Sequence, residues 1–349
     1  MLHLHTLWFI IIAILWVGFF VLEGFDFGVG MLQMLVGRTE PERELVVRTI
    51  GPWWDGNEVW LIVAAAGMFA AFPLWYATMF SALYLAFLAV LVALMARGVA
   101  LEFTTKSDDP AWRRRWRWAL MGGSLLIPLL IGIGLGDLLH GLPVNSQHDY
   151  SGGLADLVTG YGLWTGATLV ALCLMHGITF VKLRTVGATR ARAQALVRAV
   201  GWSAIAFVVG FVIWTRTLNA PDVPEPVQIL ALIAVVAAAR LSVSDHDGWA
   251  FAASGVAVAA VVGSLFIELY PNVMVSSTSS AFNLTVSNAA SGGYALKVMT
   301  IVTAILFPVV LLYQGWSFHV FRARLTGSPS GPEPGPASTA SGVSEAQGV

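Results

Sequence analysis

Residues 51–62 read Gly-Pro-Trp-Trp-Asp-Gly-Asn-Glu-Val-Trp-Leu-Ile and place two carboxylates, an amide and three indoles at the start of a long apolar segment. Asp55 and Glu58 are its carboxylates, and a second acidic pair, Glu23 and Asp26, lies inside the preceding apolar segment. An ionisable side chain at the centre of a membrane helix costs about 2.5–3.5 kcal/mol on insertion scales, so such groups mark paths for ions, protons or electrons. Two acidic clusters in consecutive membrane segments therefore predict proton handling.

The overall composition supports a membrane location. Apolar residues make up 57% of the 349 residues and charged residues only 11%. Soluble domains carry about 25% charged residues, so the composition indicates a polytopic membrane protein. The single cysteine, Cys173, excludes an internal disulfide and a cysteine-rich metal site. The first apolar run follows no basic segment and is too long for a signal peptide, so we expect it to be retained as a span.

Nine apolar runs are long enough to cross about 30 Å of hydrocarbon. They cover residues 7–35, 57–74, 77–101, 117–139, 160–181, 197–214, 227–241, 249–268 and 297–321. The connections on one side would then hold all but two of the 19 Lys and Arg, the exceptions being Arg216 and Lys297. Because Lys and Arg concentrate in cytoplasmic loops, the pattern predicts an all-α bundle of nine transmembrane helices, with the N-terminus outside and the C-terminus in the cytoplasm.

The chain divides into two parts. Residues 1–325 are predicted to form one integral membrane helical domain. Residues 326–349 are rich in Gly, Pro and Ser, a composition that predicts a disordered cytoplasmic tail. The arginine- and tryptophan-rich run 112–118 is expected to contact lipid headgroups of the bilayer rather than nucleic acid.

The first apolar run has a polar face. Glu23 and Asp26 are three residues apart and share one side of a helix. Gly24 and Gly28 form a pair of small residues that lets a second helix approach closely. Together these residues predict that this face meets another helix or subunit rather than lipid.

The second acidic pair would lie nearer the cytoplasm. Asp55 is placed at the interface and Glu58 one turn deeper. We therefore expect a ladder that runs from Asp55 through Glu58 and Asp26 to Glu23, in which buried carboxyls without a cationic partner take and release protons. A role for Asp55 as the N-cap of its helix is the structural alternative.

Other residues of the spans have weaker signals. Trp60 lies deeper than an interface indole needs to, and core packing is favoured over a place on an apolar route. His176 is expected to be a hydrogen-bonded core residue rather than a haem ligand, because no second membrane histidine lies at a matching spacing. Glu102 is expected to be solvated or paired with Arg97, and the role of Glu268 is left open. No catalytic, cofactor-binding or metal-ligating residue is assigned.

Five motifs carry a resemblance to a known family. Glu-Gly-Phe-Asp-Phe-Gly-Val-Gly (23–30) and residues 51–62 resemble subunit II of the cytochrome bd quinol oxidases, as do Phe-Ala-Ala-Phe-Pro (69–73), Arg-Thr-Val-Gly (184–187) and Pro-Asn-Val-Met-Val-Ser-Ser (271–277). The resemblance covers the chain apart from its tail. Relatives have Asp where this chain has Glu23, and Gln where it has Glu58, so a titrating role is less secure for Glu58 than for Asp55.

The resemblance implies a partner and a reaction. This chain would form a heterodimer with a haem-bearing subunit I in the bacterial cytoplasmic membrane, joined in some members by small single-span accessory subunits. The complex would oxidise a membrane quinol and reduce O2 to water, taking up protons. Two haem b and one haem d would be bound by subunit I, and none by ligands of this chain. A structural quinone or lipid in this chain is left open.

The same resemblance implies roles for individual residues. Asp55 would open a cytoplasmic proton path, Asp26 and Glu23 would continue it, and Trp60 would lie near an apolar route for O2. A proton-coupled secondary transporter is the alternative, since it would also need acidic groups near the midplane, although the chain shows no inverted half-repeat. A purely structural partner subunit is the third interpretation.

Overall fold

The computed structural model describes residues 3–219 and 225–326. The predicted tail lies outside these ranges, except for residue 326. The α-helices in the described ranges are α1 (Leu4–Val36), α2 (Glu40–Arg48), α3 (Trp54–Ala71), α4 (Pro73–Ala82), α5 (Tyr84–Phe103), α6 (Pro110–His140), α7 (Gly160–Arg184), α8 (Gly187–Asn219), α9 (Pro226–Val243), α10 (Asp247–Leu269) and α11 (Gly293–Val320). Short 3-10 helices cover Thr104–Lys106, Leu154–Leu157 and Ser280–Phe282.

Eight helical segments of the described chain are long and apolar enough to cross a membrane, so the protein is an integral membrane protein. They are α1, α5 with the turn after it, α6, α7 with the turn before it, α8, α9, α10 and α11. The 18-residue helix α3 is not among them. Its first turns carry Asp55, Asn57 and Glu58, and these polar residues lower its hydropathy.

Several predicted runs differ from the structure. The run predicted at 57–74 extends past the end of α3 at Ala71 into the start of α4, with Phe72 between the two helices. The run predicted at 77–101 is divided, because Leu83 (φ −93°, ψ 22°) ends α4 and α5 begins at the next residue. The run predicted at 197–214 lies within the much longer α8. Its first two turns are basic and polar, and such residues are good helix formers that no apolar pattern marks.

α1 contacts most of the other long helices, including α3, α6, α7 and α10. Its closest approach is to α7. A Cβ atom at Gly28 would lie 2.0 Å from the carbonyl oxygen of Cys173 and 2.7 Å from Cα of Gly177. Because real Cβ atoms do not come so close, only glycine fits at this crossing. Gly24 is looser, since its Cβ would lie 3.5 Å from Cys173 Sγ.

We call the end of the bundle formed by α2 and the connections α5–α6, α7–α8 and α9–α10 the basic end. Here Arg192 of α8 pairs with Glu42 of α2, with Nη1 and Oε2 2.6 Å apart. The hydrogen bond from Arg192, aided by the backbone N–H of Thr39, lowers the pKa of the Glu42 carboxyl from 4.5 to about 2. After α11 the chain crosses this end, and Leu325 N donates to Arg184 O at 2.7 Å.

The opposite end is covered by the connection between α10 and α11. Its short strands β1 (Asn272–Met274) and β2 (Leu284–Thr285) pair antiparallel. Glu268, whose role the sequence left open, accepts a hydrogen bond from Gln228 of α9 at 3.1 Å and pairs with Arg216 of α8. Glu268 therefore ties α8 and α9 to the end of α10.

α11 lies on the outside of the bundle. Within this helix, all of which is described, Leu296 is the one buried residue. The indole Nε1 of Trp8 donates to Leu296 O at 3.1 Å, and the ring of Trp53 stacks on Phe318 with the centroids 5.2 Å apart. The remaining long stretch of apolar side chains has no cover within the described chain.

Candidate functional site

Acidic side chains of α1 and α3 converge on one guanidinium inside the bundle. Nη1 of Arg97, on α5, lies 2.6 Å from Glu23 Oε1 and 2.5 Å from Glu58 Oε1. The side chains of Glu23 and Arg97 are fully buried, whereas that of Glu58 is 23% exposed. Asp26, one turn along α1 from Glu23, is also fully buried. We call Glu23, Asp26, Glu58 and Arg97 the acidic cluster.

The presence of Arg97 corrects two expectations. Glu23 and Glu58 were predicted to lack a cationic partner, and both have one. Arg97 was offered as a partner for Glu102, which is exposed instead. The guanidinium of Arg97 lies over the ring of Phe27 on α1, 5.0 Å from its centroid. The face of an aromatic ring attracts a cation, so this contact stabilises Arg97 in its position next to α1.

Asn57 of α3 holds Asp26 from the other side. Its Nδ2 donates to Asp26 Oδ2 at 2.7 Å and to Leu22 O at 3.1 Å. Its Oδ1 accepts from Gln314 Nε2 of α11 at 3.0 Å. The polar side chains therefore continue from the acidic cluster to the exposed helix α11.

The positions of these groups change the expected ladder. Asp55 is exposed at the start of α3, and Trp53 rather than Asp55 occupies the N-cap position. Glu58 follows, and Arg97 joins it to Glu23. Asp26 was expected directly after Glu58, but its hydrogen-bond partner on α3 is Asn57. The accessibility of the carboxyls still falls from Asp55 through Glu58 to Glu23 and Asp26.

The charges of the acidic cluster do not balance. Three carboxyl groups share one guanidinium, and an uncompensated charge in a low-dielectric interior is costly. Several buried polar atoms also lack a hydrogen-bond partner among the described residues: both Oε atoms of Glu23, Oδ1 of Asp26, and Nε and Nη2 of Arg97. Glu23 Oε1 has its ion-pair contact but not the angle of a hydrogen bond. A cluster with excess acid and unsatisfied donors can accept, hold and pass on a proton.

Trp60 is buried on α3, two residues after Glu58. Its ring packs on the backbone of Gly18, where a Cβ atom would lie 2.3 Å from Trp60 Cζ3. The ring centroid lies 6.0 Å from that of Phe307 on α11. Trp60 therefore fills the space between α1, α3 and α11.

His176 of α7 is not part of the acidic cluster. Its Nδ1 is 2.7 Å from Ser254 Oγ and its Nε2 is 3.1 Å from Val21 O. The ring stacks on Phe251 with the centroids 4.5 Å apart. Both ring nitrogens are thus engaged within the chain, as in a hydrogen-bonded core histidine. Among the residues that the structure describes, no group of His, Cys, Asp and Glu is arranged to hold a metal ion.

Sequence reasoning missed Arg97 as a member of the site. The signal was present, because Arg97 lies inside the apolar run 77–101 and a charge there needs a partner. The concentration of Lys and Arg on one side instead favoured a place for Arg97 in the cytoplasmic connection that follows this run. Gln314 gave a weaker signal, as a single amide in an apolar helix. Asp137 of α6, fully buried and hydrogen-bonded by Thr159 Oγ1 at 2.5 Å, was also missed, and it lies outside the acidic cluster.

Comparison with known proteins agrees with the resemblance that the motifs carried. Residues 4–321 match the family of cytochrome bd terminal oxidase subunit II. Cytochrome bd ubiquinol oxidase subunit 2 of Bacillus subtilis (strain 168) is 42% identical over 93% of this chain and 98% of its own length. Cytochrome bd-I ubiquinol oxidase subunit 2 of Escherichia coli (strain K12) is 33% identical over 93% of this chain and 95% of its own length.

The fold agrees as well. A chain in the structure of bd oxidase from Geobacillus thermodenitrificans superposes with a TM-score of 0.71, covering 91% of this chain and 99% of that chain at 18% identity. None of these matches supports the transporter alternative. The resemblance inferred from residues 23–30 and 51–62 is confirmed, and the chain belongs to the cytochrome bd terminal oxidase subunit II family.

Proposed function

We propose that this chain is the subunit II of a quinol:O2 oxidoreductase, in which it stabilises a haem-bearing subunit I and supplies a proton path. Family membership supports the assignment to an oxidase complex. The observation that carries the proton path is the acidic cluster, in which the buried Glu23, Asp26 and Arg97 meet the partly exposed Glu58. Asp55 is exposed at the start of α3, one turn before Glu58. Proton delivery into a low-dielectric interior requires such a row of polar partners.

The proposed topology has nine spans. α3 would be the ninth, since its 18 residues give a length of about 27 Å at a rise of 1.5 Å per residue. Its polar start would lie at the interface and its apolar remainder in the bilayer. The Lys and Arg residues at the basic end support a cytoplasmic location for that end and an outside N-terminus. The membrane would be the bacterial cytoplasmic membrane, with residues 1–325 as the membrane domain and residues 326–349 as a cytoplasmic tail.

Subunit I would cover the exposed face of α11 and the neighbouring face of α3. Both faces are apolar and lack cover within the described chain, with Ile62 of α3 67% exposed and Leu312 of α11 74% exposed. Gln314 and Glu58 would then lie at the border between the two subunits. Small single-span accessory subunits remain a prediction.

The haems are assigned to subunit I. His176, the mid-membrane histidine of this chain, does not fit an iron ligand because both its ring nitrogens are engaged. Two haem b and one haem d on subunit I would carry electrons from quinol to O2. This chain's own residues would take protons from the cytoplasm, while quinol would release its protons outside. The reaction would therefore be electrogenic. A structural quinone or lipid within this chain stays a prediction.

Two substitutions test the proton path. Asp55→Asn and Asp26→Asn keep the size of each side chain but remove its capacity to carry a proton. We expect each to slow oxygen consumption by about a hundredfold, a typical loss when a positioned proton-transfer group is removed. Haem content, measured by absorption spectroscopy of the purified complex, should be retained.

Glu102→Gln is the matched control. Glu102 is an exposed acid at the end of α5, outside the acidic cluster, and its substitution should leave turnover unchanged. Wild-type turnover in both Asp variants at several pH values would reject the proton path and favour a purely structural subunit.

The proposed O2 route at Trp60 has its own test. Trp60→Leu should change the apparent KM for O2 while preserving turnover at saturating O2. Trp202→Leu, at an indole that is 72% exposed on α8, is the control. A change in thermal stability alone, with the KM for O2 unaltered, would assign Trp60 to packing.

A further inference from the structure

We propose that Arg97 is a positioning residue of the proton path, which exchanges its hydrogen bond between Glu58 and Glu23 as a proton passes from one carboxyl to the other. This inference rests on the proposed function and adds a residue that the sequence motifs did not indicate. It is carried by the geometry of the guanidinium and by its burial.

A single nitrogen of Arg97 serves both acids. Nη1 lies 2.5 Å from Glu58 Oε1 and 2.6 Å from Glu23 Oε1. The contact to Glu58 has the geometry of a hydrogen bond, whereas the contact to Glu23 does not. No N–H or hydroxyl of the described residues donates to the Glu23 oxygens, and the neighbouring group with which Glu23 can share a proton is the carboxyl of Asp26. The structure therefore shows Arg97 bonded to Glu58, with Glu23 close enough to take its place.

The guanidinium has little room to move elsewhere. A Cβ atom at Gly123 of α6 would lie 3.3 Å from Arg97 Cβ, so the stem is closely packed against that helix. The ring of Phe27 lies on one side of the guanidinium, 5.0 Å away. Arg97 Nε and Nη2 have no hydrogen-bond partner among the described residues. A small rotation of the guanidinium would thus change the acid that it contacts without moving the stem.

Arg97 does not itself carry the proton, because the guanidinium stays protonated in proteins. The O–H bond of a protonated Glu58 would break and an O–H bond on Glu23 would form, so the proton count is unchanged. The hydrogen bond from Arg97 would pass from Glu23, now neutral, to Glu58, now ionised. Since both oxygens contact one nitrogen, they are at most about 5 Å apart, a gap that one water molecule can bridge.

The positive charge has a second effect. Without it, three carboxyl groups would share a buried site with no cation, and ionisation of each would be opposed by the others. Such a cluster would retain protons rather than release them. The positive charge of Arg97 therefore allows the carboxyl groups of the path to release the protons that they accept.

Three variants of the complete complex test this role. Arg97→Gln removes the charge, Arg97→Lys keeps it, and Arg115→Gln removes an exposed charge at the basic end as the control. We expect Arg97→Gln to slow oxygen consumption by about tenfold or more. Arg97→Lys should retain most of the rate, and Arg115→Gln should match the wild type. Haem content is measured in each.

A spectroscopic measurement separates charge from packing. Infrared spectroscopy should show an additional protonated-carboxyl band in Arg97→Gln, and the band should be absent from the double variant Glu23→Gln, Arg97→Gln. A slowed Arg97→Gln enzyme without that band would overturn the proposal, and so would wild-type turnover. If Arg97→Gln does not assemble, assembly of the double variant would support charge balance, and failure of both would overturn it.

The outcomes also separate this inference from the proposed function. If Asp55→Asn and Asp26→Asn slow turnover and Arg97→Gln does not, the proton path stands and the role of Arg97 is rejected. If none of the three slows turnover while the haems are retained, the proton path itself is rejected.

Discussion

The side-chain amide of Asn57 donates a hydrogen bond to the carboxylate of Asp26, with Nδ2 and Oδ2 2.7 Å apart. The next residue, Glu58, is bonded to Arg97 of α5. Successive residues of a helix point about 100° apart, so α3 meets α1 through Asn57 and α5 through Glu58. Two adjacent residues thus connect three helices at one level of the bundle.

Loss of the Asn57 amide should destabilise the chain. Asn57→Leu leaves Asp26 and Gln314 without their bonding partner, and a buried polar group without a partner costs about 1–3 kcal/mol. We expect a lower midpoint of thermal unfolding for the purified complex. Gln147→Leu, at an exposed loop residue, is the control, and equal midpoints for the two variants would show that the Asn57 bonds contribute nothing.

The crossing of α1 and α7 should not accept a side chain at Gly28. Gly28→Ala places a methyl group where only 2.0 Å separates it from Cys173 O. Because this obstacle is backbone, the helices must move apart, and overpacking of this kind costs about 1–3 kcal/mol or more. Gly122→Ala is the matched control, because a Cβ atom there would meet nothing within 4 Å. Comparable yields of assembled complex from both variants would contradict the close crossing.

The ion pair between Glu42 and Arg192 should contribute stability that depends on pH. The pKa of Glu42 is lowered from 4.5 to about 2 by its hydrogen bond from Arg192, so folding favours the ionised form. The contribution is therefore complete above the ordinary pKa of the carboxyl and is lost as the pH falls toward 2. Glu42→Gln should unfold at a lower temperature than the wild type at neutral pH, and the difference should shrink on acidification below pH 4.5. A difference that does not vary with pH would rule out ionisation as its cause.

His176 should matter for stability and not for haem binding. His176→Phe removes the hydrogen bonds to Val21 and Ser254, and we expect a lower unfolding temperature with the haem spectrum of the complex unchanged. Ser254→Ala, which removes one of these partners, should have a smaller effect. Loss of a haem band in the His176 variant would mean that this histidine reaches the iron.

The sequence predicts the helices better than it predicts their contacts. Apolar runs locate each long helix because the bilayer imposes a length and a composition on every span. The same runs do not reveal that α8 begins at Gly187, because its charged first turns continue the helix beyond the apolar part. The break at Leu83 leaves no apolar or charged signal either.

In the site, too, the sequence predicts which residues are involved better than it predicts their contacts. Glu23, Asp26 and Glu58 could be chosen from their cost inside a membrane, and the structure brings them together. The partner Arg97 could not be assigned, because its contact with Glu23 joins residues of α5 and α1 that only packing brings together. The local sequence suggested Glu102 as the partner of Arg97, because it lies only five residues away on the same helix. Tertiary packing selected the buried acids instead, where the free-energy cost of leaving a charge unpaired is larger.

The hydrogen bond from Trp8 to Leu296 joins α1 to α11, the first and the last helix of the described residues. During synthesis, α1 is made long before α11, so this contact forms only after α11 has been translated. Until then Asn57 also lacks its contact from Gln314. A chain that lacks α11 would leave Trp8 and Asn57 without these polar partners inside the bundle, so an incomplete chain would be a target for membrane quality control.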